Sequence, residues 1–391
     1  MQSYDLPAAV PVAFGLGRLN DLGKLAAERL GPEQRLLLVA DPFAVSSGLA
    51  ERLIQGLEAA GHKAALFSDI ASDPREGHID ACAEAARGFG ASAIIALGGG
   101  SAMDVGKLAA AIVGAEEGSA AYALAIKPFP GNGLPVIAIP TTSGTGAEMT
   151  AVSVFSLADG TKVWAWGLEL FPRLALLDAE ITASLPATLT AATGVDALVH
   201  AIESMTNCKA HPLNDPPAMR AIGLIRRWLP RVVADGSDLE ARGQVQIAAC
   251  LAGAAIAVNG CAVAHGLGHA LGTVGHVHHG RAVGLSLRVA LAGNVAATPE
   301  RHALVAEAFG IERQGRSDAT LAAALPEVYD AFLREVGLEI SLAGDGLSGV
   351  DEERLAAACD TPENRPMFEI TCRDFDRAEV ERLCRELLTA A

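Results

Sequence analysis

The chain has 391 residues, of which 51% are hydrophobic and 19% are charged, and its mean hydropathy is +0.31. This length is enough for two domains with buried cores, and the composition is that of an ordered globular protein. The formal net charge of −16, without a basic cluster, argues against nucleic acids and anionic membranes as partners.

The sequence also contains no uncharged apolar stretch of the ~18 residues that a membrane span needs. Its first ten residues show no signal-peptide pattern. The seven cysteines are scattered and form no C-x-x-C pair, which favours reduced thiols. We therefore expect a cytoplasmic protein that binds neither membranes nor nucleic acids.

Short apolar strands alternate with amphipathic helices over the first half of the chain. Strands are predicted at residues 35–41, 63–69, 92–100 and 134–148, with loops at the ends of the last two, and helices at residues 47–61, 78–91 and 101–114. This alternation predicts a Rossmann-like α/β domain whose parallel sheet is covered on both faces.

The pattern changes after about residue 186, where strand signals fade and long helices rich in alanine and leucine follow. These helices are predicted at residues 187–204, 216–234, 241–258 and 376–388. Pro186 suits a boundary at this change. The predicted domains are thus an α/β domain at 1–186 and an all-helical domain at 187–391, and the motifs in each make the first a candidate dinucleotide-binding domain and the second a candidate metal-binding domain.

Five of the ten histidines lie between His265 and His279. Asp196 and His200 are four residues apart, as are His265 and His269, and this spacing places two side chains on one helix face. His279 follows a glycine-containing turn and could complete the set. Three imidazoles with one carboxylate suit Fe(II) or Zn(II) better than Mg or Ca. Two such segments in one chain favour a metal site over incidental core histidines.

Three further residues near this run are given a lesser role. Cys261 could bind the same metal, but we expect it to share a helix face with His265, four residues later, which is already assigned. His276 and His278 are interpreted as surface or core histidines.

A glycine-rich turn, Gly98-Gly99-Gly100-Ser101, joins a predicted strand to a predicted helix. Glycines let a ligand approach the backbone closely, and the helix N-terminus offers free N–H groups, so the turn is a candidate phosphate site. The motif is neither G-x-G-x-x-G nor a Walker sequence, and a plain tight turn is the alternative interpretation.

Asp41 stands at the end of the first predicted strand. A carboxylate there can accept hydrogen bonds from both ribose hydroxyls of an adenosine and would repel a 2′-phosphate, which favours NAD over NADP. A helix N-cap before Pro42 is equally consistent with the local sequence.

The segment PTTSGTG at residues 140–146 follows the strand predicted from residue 134. Hydroxyls and glycines at the carboxyl end of such a strand lie in the ligand crevice of an open α/β sheet. They can bind phosphate, ribose or nicotinamide. A plain serine/threonine loop would not need so many small residues in one place.

Together these motifs resemble the iron-containing (group III) alcohol dehydrogenase family. GGGSAMD, PTTSGTGAE, LLDAEIT…LP, TGVDALVHAIES and H-x3-H-x9-HG occur in the family's order and at its spacing, and the resemblance runs from VAFGLGRL to ENRP. It implies an NAD-dependent alcohol dehydrogenase that uses Fe(II), with Zn(II) possible, to interconvert a small alcohol and its aldehyde or ketone. It also implies a homodimer and an active site in the cleft between the two domains.

The resemblance assigns roles to individual residues. The metal ligands would be Asp196, His200, His265 and His279, and His269 matches a catalytic histidine that does not bind the metal. The residues implied to hold NAD are Asp41, Gly98, Gly99, Ser101, Asp104, Thr141, Thr142, Thr145 and Lys162, with Val152, Ile181 and Ser184 lining the nicotinamide side.

The chain departs from the family pattern around the expected substrate pocket. His278 stands where many relatives have proline, His276 is an extra histidine, and residues 163–172 carry two tryptophans. In the helix after the histidine run, SLRVAL replaces the usual proline. These changes concern the shape of the pocket and remove no metal ligand.

Three alternative functions share some of these features. Maleylacetate reductase usually lacks a full ligand set. A sugar-phosphate cyclase resembling dehydroquinate synthase, a lyase, also pairs NAD with a metal, but it needs basic residues for its substrate, and Arg281 is one of few candidates. A nucleotide-binding protein without catalysis would not need one carboxylate and three histidines.

Overall fold

A computed structural model describes residues 10–389 of the chain. Its contacts divide the chain into two compact units, of which the first ends at Thr182 and the second begins at Ala183. We keep the domain ranges 1–186 and 187–391 as our proposal for the two functional domains.

The first unit is an α/β structure. Its strands are β1 (Val12–Phe14), β2 (Arg35–Ala40), β3 (Lys63–Phe67), β4 (Ala93–Gly98), β5 (Val136–Pro140), β6 (Val152–Ser156), β7 (Lys162–Trp166) and β8 (Leu174–Leu177). Its α-helices are α1 (Leu22–Leu30), α2 (Pro42–Ser46), α3 (Leu49–Ala59), α4 (Glu76–Phe89) and α5 (Gly100–Ile112). Six strands form a parallel sheet in the order β1-β8-β5-β4-β2-β3, and β6 and β7 form an antiparallel pair.

Both faces of the sheet are covered because successive side chains of its strands point to opposite sides. In β2, Leu37 and Val39 pack with α4 and α5, whereas Leu36 and Leu38 pack with α1 and α3. The predicted parallel sheet with two covered faces is therefore confirmed, and β2 to β5 lie where strands were predicted.

In the first unit, sequence analysis missed β1, β6, β7, β8 and the helices α1 and α2. Strands β1 and β8 have three and four residues, which give too little periodicity to separate a strand from a buried loop. Strands β6 and β7 have five residues, as do the predicted strands β3 and β5, so length does not explain their omission.

The second unit is helical throughout its described residues. Its helices are α6 (Ala187–Thr206), α7 (Asp215–Ala234), α8 (Leu239–Asn259), α9 (Val263–Gly275), α10 (His279–Ala297), α11 (Pro299–Ala308), α12 (Asp318–Ala322), α13 (Leu325–Glu335), α14 (Glu352–Cys359), α15 (Arg365–Glu369) and α16 (Arg377–Leu388). One core lies among α6, α7, α8, α10, α11 and α13, and a second lies among α9, α10, α14 and α16. The predicted fold class, an α/β unit followed by a helical unit, is confirmed.

Among residues 10–389, α8 alone is long and apolar enough to cross a membrane by length and composition. Most of its residues are buried, and it packs along α6 and α7. Its apolar surface is therefore accounted for by the protein core.

Candidate active site

Three imidazoles of the second unit converge on one carboxylate oxygen. Asp196 and His200 lie one turn apart on α6, His265 lies on α9, and His279 is the first residue of α10. The Nε2 atoms of His200, His265 and His279 are 3.8, 3.7 and 3.6 Å from Oδ1 of Asp196. Three helices thus bring together the four residues that were predicted as metal ligands.

This donor set fits a transition-metal ion. Oδ1 of Asp196 and Nε2 of His265 are buried and have no hydrogen-bond partner in the described part of the chain. Burying polar atoms without partners is costly, and a bound cation removes that cost. Ligand atoms at the ~2.1 Å typical of tetrahedral Zn(II) lie about 3.4 Å apart, close to the spacing found here. Imidazoles with one carboxylate suit iron or zinc.

Glu203 orients His265 from behind and was missed by sequence analysis. Its Oε2 lies 2.6 Å from Nδ1 of His265 and accepts the Ala262 N–H at 2.8 Å, while its Oε1 accepts the Ala264 N–H at 2.6 Å. With its proton on Nδ1 toward Glu203, His265 presents the Nε2 lone pair toward Asp196. Glu203 lies seven residues after Asp196 on α6, two turns along the same face, which is the signal that could have revealed it.

The electrostatics of the cluster favour bound positive charge. Burial alone would raise the pKa of Asp196, but the rings of His200, His279 and His265 together hold it below its usual range. Burial would lower the pKa of His265, yet Cys261 and Glu203 raise it well above its ordinary value. A metal ion can therefore take the place of protons that this cluster otherwise attracts.

Two glycines on α10 allow His279 to approach α6. A Cβ atom on Gly280 would lie 2.2 Å from the carbonyl oxygen of Ala192, and one on Gly284 would lie 2.6 Å from a methyl group of Val195. Larger residues at these positions would push α10 away. The backbone of α10 thus lies close enough to α6 for His279 to reach Asp196.

Cys261 lies beside the same histidines but not on a helix. Because α8 ends at Asn259 and Gly260 has φ +76°, α9 begins only at Val263, so the expectation that Cys261 shares a helix face with His265 is wrong. Burial would raise the pKa of Cys261, but the His265 and His200 rings lower it to about 7.

His269 lies at the edge of the cluster and is half-buried. Its ring centroid is 6.3 Å from that of His265 and 5.4 Å from that of His279. Among residues 10–389, the compact donor groups that could hold an ion are Asp196, His265 and His279, and His200, Cys261 and His265, and neither group includes His269. His276 and His278 are exposed, as the surface interpretation expects, and His276 ends α9 in the left-handed conformation with φ 54°.

The arginine considered for an anionic substrate is engaged elsewhere. Arg281 donates to both carboxylate oxygens of Asp345 at 2.8 and 2.9 Å and to the carbonyl oxygen of Glu339 at 2.7 Å. Its guanidinium is therefore occupied by structural contacts within the second unit.

In the first unit, the glycine turn is tightly enclosed by its own neighbours. Gly98 ends β4 with φ +150°, and a Cβ atom there would lie 2.5 Å from Oδ2 of Asp41. A Cβ atom on Gly100 would lie 2.9 Å from the methyl group of Thr145, and one on Gly99 would lie 3.5 Å from that of Thr142. The absence of side chains on these glycines thus lets Asp41 and the threonine loop, residues 140–146, contact this turn.

Asp41 caps a helix, which is one of the two roles that its sequence left open, and it also contacts the glycine turn. Its Oδ1 accepts the Ala44 N–H at 2.8 Å, which caps α2, and its Oδ2 accepts the Gly99 N–H at 3.3 Å. The carboxylate therefore stands at the carboxyl end of β2, against the N-terminus of α5. This is where a dinucleotide would be held in an α/β sheet.

The threonine loop is fixed by main-chain bonds and by a buried lysine. The N–H of Thr141 donates to the carbonyl oxygen of Gly98 at 2.9 Å. Lys107 of α5, fully buried, donates to the carbonyl oxygen of Ala147 at 2.9 Å and to Oγ1 of Thr150 at 3.2 Å. Sequence analysis missed Lys107, because a lysine in an apolar helix segment resembles an ordinary solvent-facing residue.

Three other predicted nucleotide residues have partners of their own. Ser101 donates its hydroxyl to the carbonyl oxygen of Ser72 at 2.7 Å. Asp104 lies 3.7 Å from Nζ of Lys107, and its burial raises its pKa to about 6. Lys162 begins β7, with Nζ 3.3 Å from Oδ1 of Asp73.

The residues predicted near nicotinamide lie farther along the chain. Val152 begins β6 and pairs with Trp166 of β7. Ile181 lies in a 3-10 helix, Ala179–Thr182, and packs against the core that includes α1 and α3. Ser184, in the second unit, is exposed.

Comparison with known families gives matches to both parts of the chain. The family model for iron-containing alcohol dehydrogenase matches residues 10–179, and the C-terminal model of the Fe-containing alcohol dehydrogenase family matches residues 190–388. The chain belongs to the iron-containing alcohol dehydrogenase family. The resemblance seen in the motifs is confirmed.

Relatives and solved structures of this family cover nearly the entire chain. The chain is 34% identical to the sulfoacetaldehyde reductase of Bilophila wadsworthia, with 89% of each chain covered. It is 31% identical to the NAD-dependent methanol dehydrogenase of Bacillus methanolicus, with 91% of this chain and 92% of that protein covered. The structure of sulfoacetaldehyde reductase from Bifidobacterium kashiwanohense in complex with NAD+ matches with a TM-score of 0.88, at 29% identity and full coverage of both chains.

Membership of this family confirms the predicted enzyme class. The protein is an oxidoreductase of the alcohol dehydrogenase type, which interconverts alcohols and aldehydes. The predicted cofactors, NAD and iron, are confirmed as those of the family. These relatives give no support to a maleylacetate reductase or a sugar-phosphate cyclase.

Proposed function

We propose that this enzyme transfers hydride between NAD and a small alcohol or its carbonyl product, at a metal held by Asp196, His200, His265 and His279. The observation that carries the proposal is the convergence of three Nε2 atoms on Oδ1 of Asp196, within 3.6–3.8 Å. The unpartnered, buried state of Oδ1 and of Nε2 of His265 supports it. Fe(II) is the proposed ion, with Zn(II) as the alternative.

The chain's own residues prepare the reaction. When bound, the metal supplies a Lewis acid that polarises the substrate oxygen, and NAD accepts or returns the hydride. Asp196 contributes the single negative charge of the donor set, and Glu203 keeps His265 in the required tautomer. The side chain of His279 is 34% exposed while that of Asp196 is 2% exposed, so substrate approaches on the side of His279.

His269 is proposed to move the hydroxyl proton. It lies on α9 one turn beyond His265, outside the donor set, and it is half-buried. A histidine in this position can take the proton from the substrate hydroxyl and pass it toward solvent.

For NAD we propose the residues implied by the family resemblance. They are Asp41, Gly98, Gly99, Ser101, Asp104, Thr141, Thr142, Thr145, Val152, Lys162, Ile181 and Ser184. The contacts among Asp41, the glycine turn and the threonine loop support the first part of this set. The carboxylate of Asp41 would repel a 2′-phosphate, so we infer a preference for NAD over NADP.

The substrate class is proposed to be small alcohols and aldehydes. This rests on relatives named for sulfoacetaldehyde, methanol and 1-propanol. Arg281, already paired with Asp345, offers no free guanidinium for an anionic substrate.

The quaternary structure and location are also part of the proposal. We infer a homodimer, supported by β1, an edge strand on which Val12 and Phe14 are 44% and 43% exposed. We infer a cytoplasmic enzyme, supported by seven cysteines that form no disulfide within residues 10–389. Light scattering of the purified protein tests the first inference.

The test of function is a substrate panel on anaerobically reconstituted protein. Protein loaded with Fe(II) or Zn(II) is assayed with NAD and NADP against small primary alcohols, secondary alcohols and their carbonyl products. His265→Ala, which removes one donor, is expected to lose metal retention and turnover together. A variant that turns over without metal would contradict the role of His265, and a higher kcat/KM with NADP would contradict that of Asp41.

A further inference from the structure

Cys261 forms a second donor set with two of the four proposed metal ligands. The Sγ of Cys261 and one ring nitrogen from each of His200 and His265 all lie within 4.8 Å of one another. The two rings are stacked with centroids 4.5 Å apart and an interplanar angle of 20°. Both imidazoles also belong to the four proposed metal ligands, and the Cys261 set has a sulfur in place of Asp196 and lacks His279.

Unpartnered nitrogens accompany the thiol. Nδ1 of His200 and Nε2 of His265 are buried, and neither has a hydrogen-bond partner in the part of the chain that the structure describes. The two side chains are 5% and 3% exposed. Donor atoms buried in this way, beside a thiol, are the groups that a metal ion of moderate size satisfies.

The segment that carries Cys261 is held in place independently of any ion. Asn207 donates from Nδ2 to the carbonyl oxygens of Asn259 at 3.0 Å and Gly260 at 3.2 Å. On the other side of Cys261, the Ala262 N–H donates to Glu203 at 2.8 Å. The thiol is therefore positioned by main-chain contacts on both of its flanks, and loading a metal does not require this loop to fold.

We propose that Cys261, His200 and His265 form a thiolate–imidazole site that takes Zn(II) in preference to Fe(II) and competes with the Asp196 site. Thiolate ligands favour zinc and softer ions, whereas a set of imidazoles and carboxylate also suits Fe(II). Because both sets use His200 and His265, one ion excludes another. Binding releases the thiol proton to water. The inference rests on the proposed function for the two histidines, and it makes zinc an inhibitor of the iron-loaded enzyme.

X-ray absorption at the zinc edge tests the proposal directly. Wild-type protein loaded with one equivalent of Zn(II) is expected to show one sulfur ligand near 2.3 Å. Cys261→Ser and Cys261→Ala are expected to lose that sulfur and to bind Zn(II) about tenfold more weakly or worse, with Fe(II) affinity unchanged. Cys208→Ser is the matched control, since Cys208 is a free, exposed cysteine, and it should keep the sulfur signal.

A further variant separates this proposal from that of the catalytic site. Asp196→Asn is expected to lose Fe(II) and to keep zinc with its sulfur ligand. Zinc bound to wild-type protein through nitrogen and oxygen alone, or a sulfur signal that survives in Cys261→Ser, would overturn the thiolate site. If Asp196→Asn instead retained Fe(II) at full affinity, the proposed catalytic metal site would fail while the thiolate site stood.

Discussion

The glycine turn of the first unit and the histidine cluster of the second are built by opposite means. The turn uses main-chain N–H groups and missing side chains, and its close contacts are those of Gly98 with Asp41 and of Gly100 with Thr145. The cluster uses ionisable side chains from three helices, in which Asp196 and His265 are almost fully buried. One site depends on the path of the backbone, and the other depends on charge.

This difference decides how each site responds to substitution. A site built from the main chain is disturbed when a Cβ atom is added, because its glycines lie in close contact with neighbouring groups. A buried cluster of charges changes when any partner is neutralised, because a low-dielectric site magnifies each interaction. Four predictions follow from the contrast, and each alters one site while leaving the other as an internal reference.

The largest effect is expected at His269, which lies beside the cluster without belonging to its donor set. His269→Ala should retain the metal and lower kcat about 100-fold, because proton transfer contributes about that much to such reactions. The pH–rate profile of the variant should lose the rise or fall in rate that reflects ionisation of His269. If His269 only packs against its neighbours, the variant should instead keep its kcat and have a lower thermal midpoint. Stoichiometric loss of metal would show that His269 is a ligand after all.

Glu203→Gln tests the contact between Glu203 and the ring of His265. The amide keeps the size of the side chain but removes the charge that faces Nδ1 of His265 at 2.6 Å. Metal affinity should fall about 10- to 100-fold, as for other outer partners of metal-bound histidines. Competition with a chelator measures it, and NAD affinity should stay at the wild-type value. Equal loss of both affinities would indicate general unfolding.

Sequence reasoning found the proposed metal ligands more readily than the residues that support them. The four-residue spacing that places Asp196 and His200 on one helix face can be recognised in the sequence, and so can the run of histidines. The roles of Glu203 and Lys107 depend on which helix packs against which, and neither residue belongs to a motif of its own. Cys261 was misplaced because it was expected to share a helix with His265, whereas α9 begins only at Val263.

The strands of the first unit show the same difference between features that are visible in the local sequence and features that depend on packing. Strands β2 to β5 have five or six residues with visible apolar runs, and all but β3 are almost entirely buried. The three residues of β1 and the four of β8 form strands because β1 pairs with β8 and β8 pairs with β5. Pairing between segments so distant in sequence leaves no local pattern.

A pair of glycine substitutions tests the contrast itself. Gly98→Ala places a methyl group against Asp41, at a backbone angle that favours glycine, and should weaken NAD binding about tenfold with unchanged metal content. Gly280→Ala places one against the carbonyl oxygen of Ala192 and should cost about 1–3 kcal/mol of stability and reduce metal retention, with NAD affinity unchanged.

For both variants, calorimetry measures stability, metal analysis measures metal content, and fluorescence titration measures NAD affinity. Gly77→Ala on α4 is the control for the first unit, because a Cβ atom there meets nothing within 4 Å. Gly223→Ala on α7 serves the second, where the nearest atom is at an ordinary 3.4 Å. If both glycine variants affected both ligands, the two sites would not be structurally independent.

The smallest effect concerns Asp104, which is partly buried, and Asp196, which is almost fully buried, since their pKa values move in opposite directions. Burial raises the pKa of Asp104 to about 6, despite the nearby Lys107. At Asp196 burial is outweighed by His200 and the other rings, and the pKa is lowered. A raised carboxyl pKa contributes stability that is full below the unfolded value of about 3.9 and is lost as pH rises through about 6. A lowered one contributes stability above about 3.9 that is lost as pH falls.

Asp104→Asn and Asp196→Asn in metal-free protein should therefore show opposite pH dependence. As pH rises from 4 to 7, Asp104→Asn should gain stability relative to wild type by about 2 kcal/mol, because the wild-type carboxyl must ionise in a buried position. Asp196→Asn should be less stable than wild type by a nearly constant amount from pH 4 to 7, and this deficit should shrink as pH falls below about 3.9, where the wild-type carboxylate becomes protonated and loses its interaction with the histidine rings. Thermal midpoints measured every half unit of pH give both curves, and parallel curves would mean that the histidine rings do not set the charge state of Asp196.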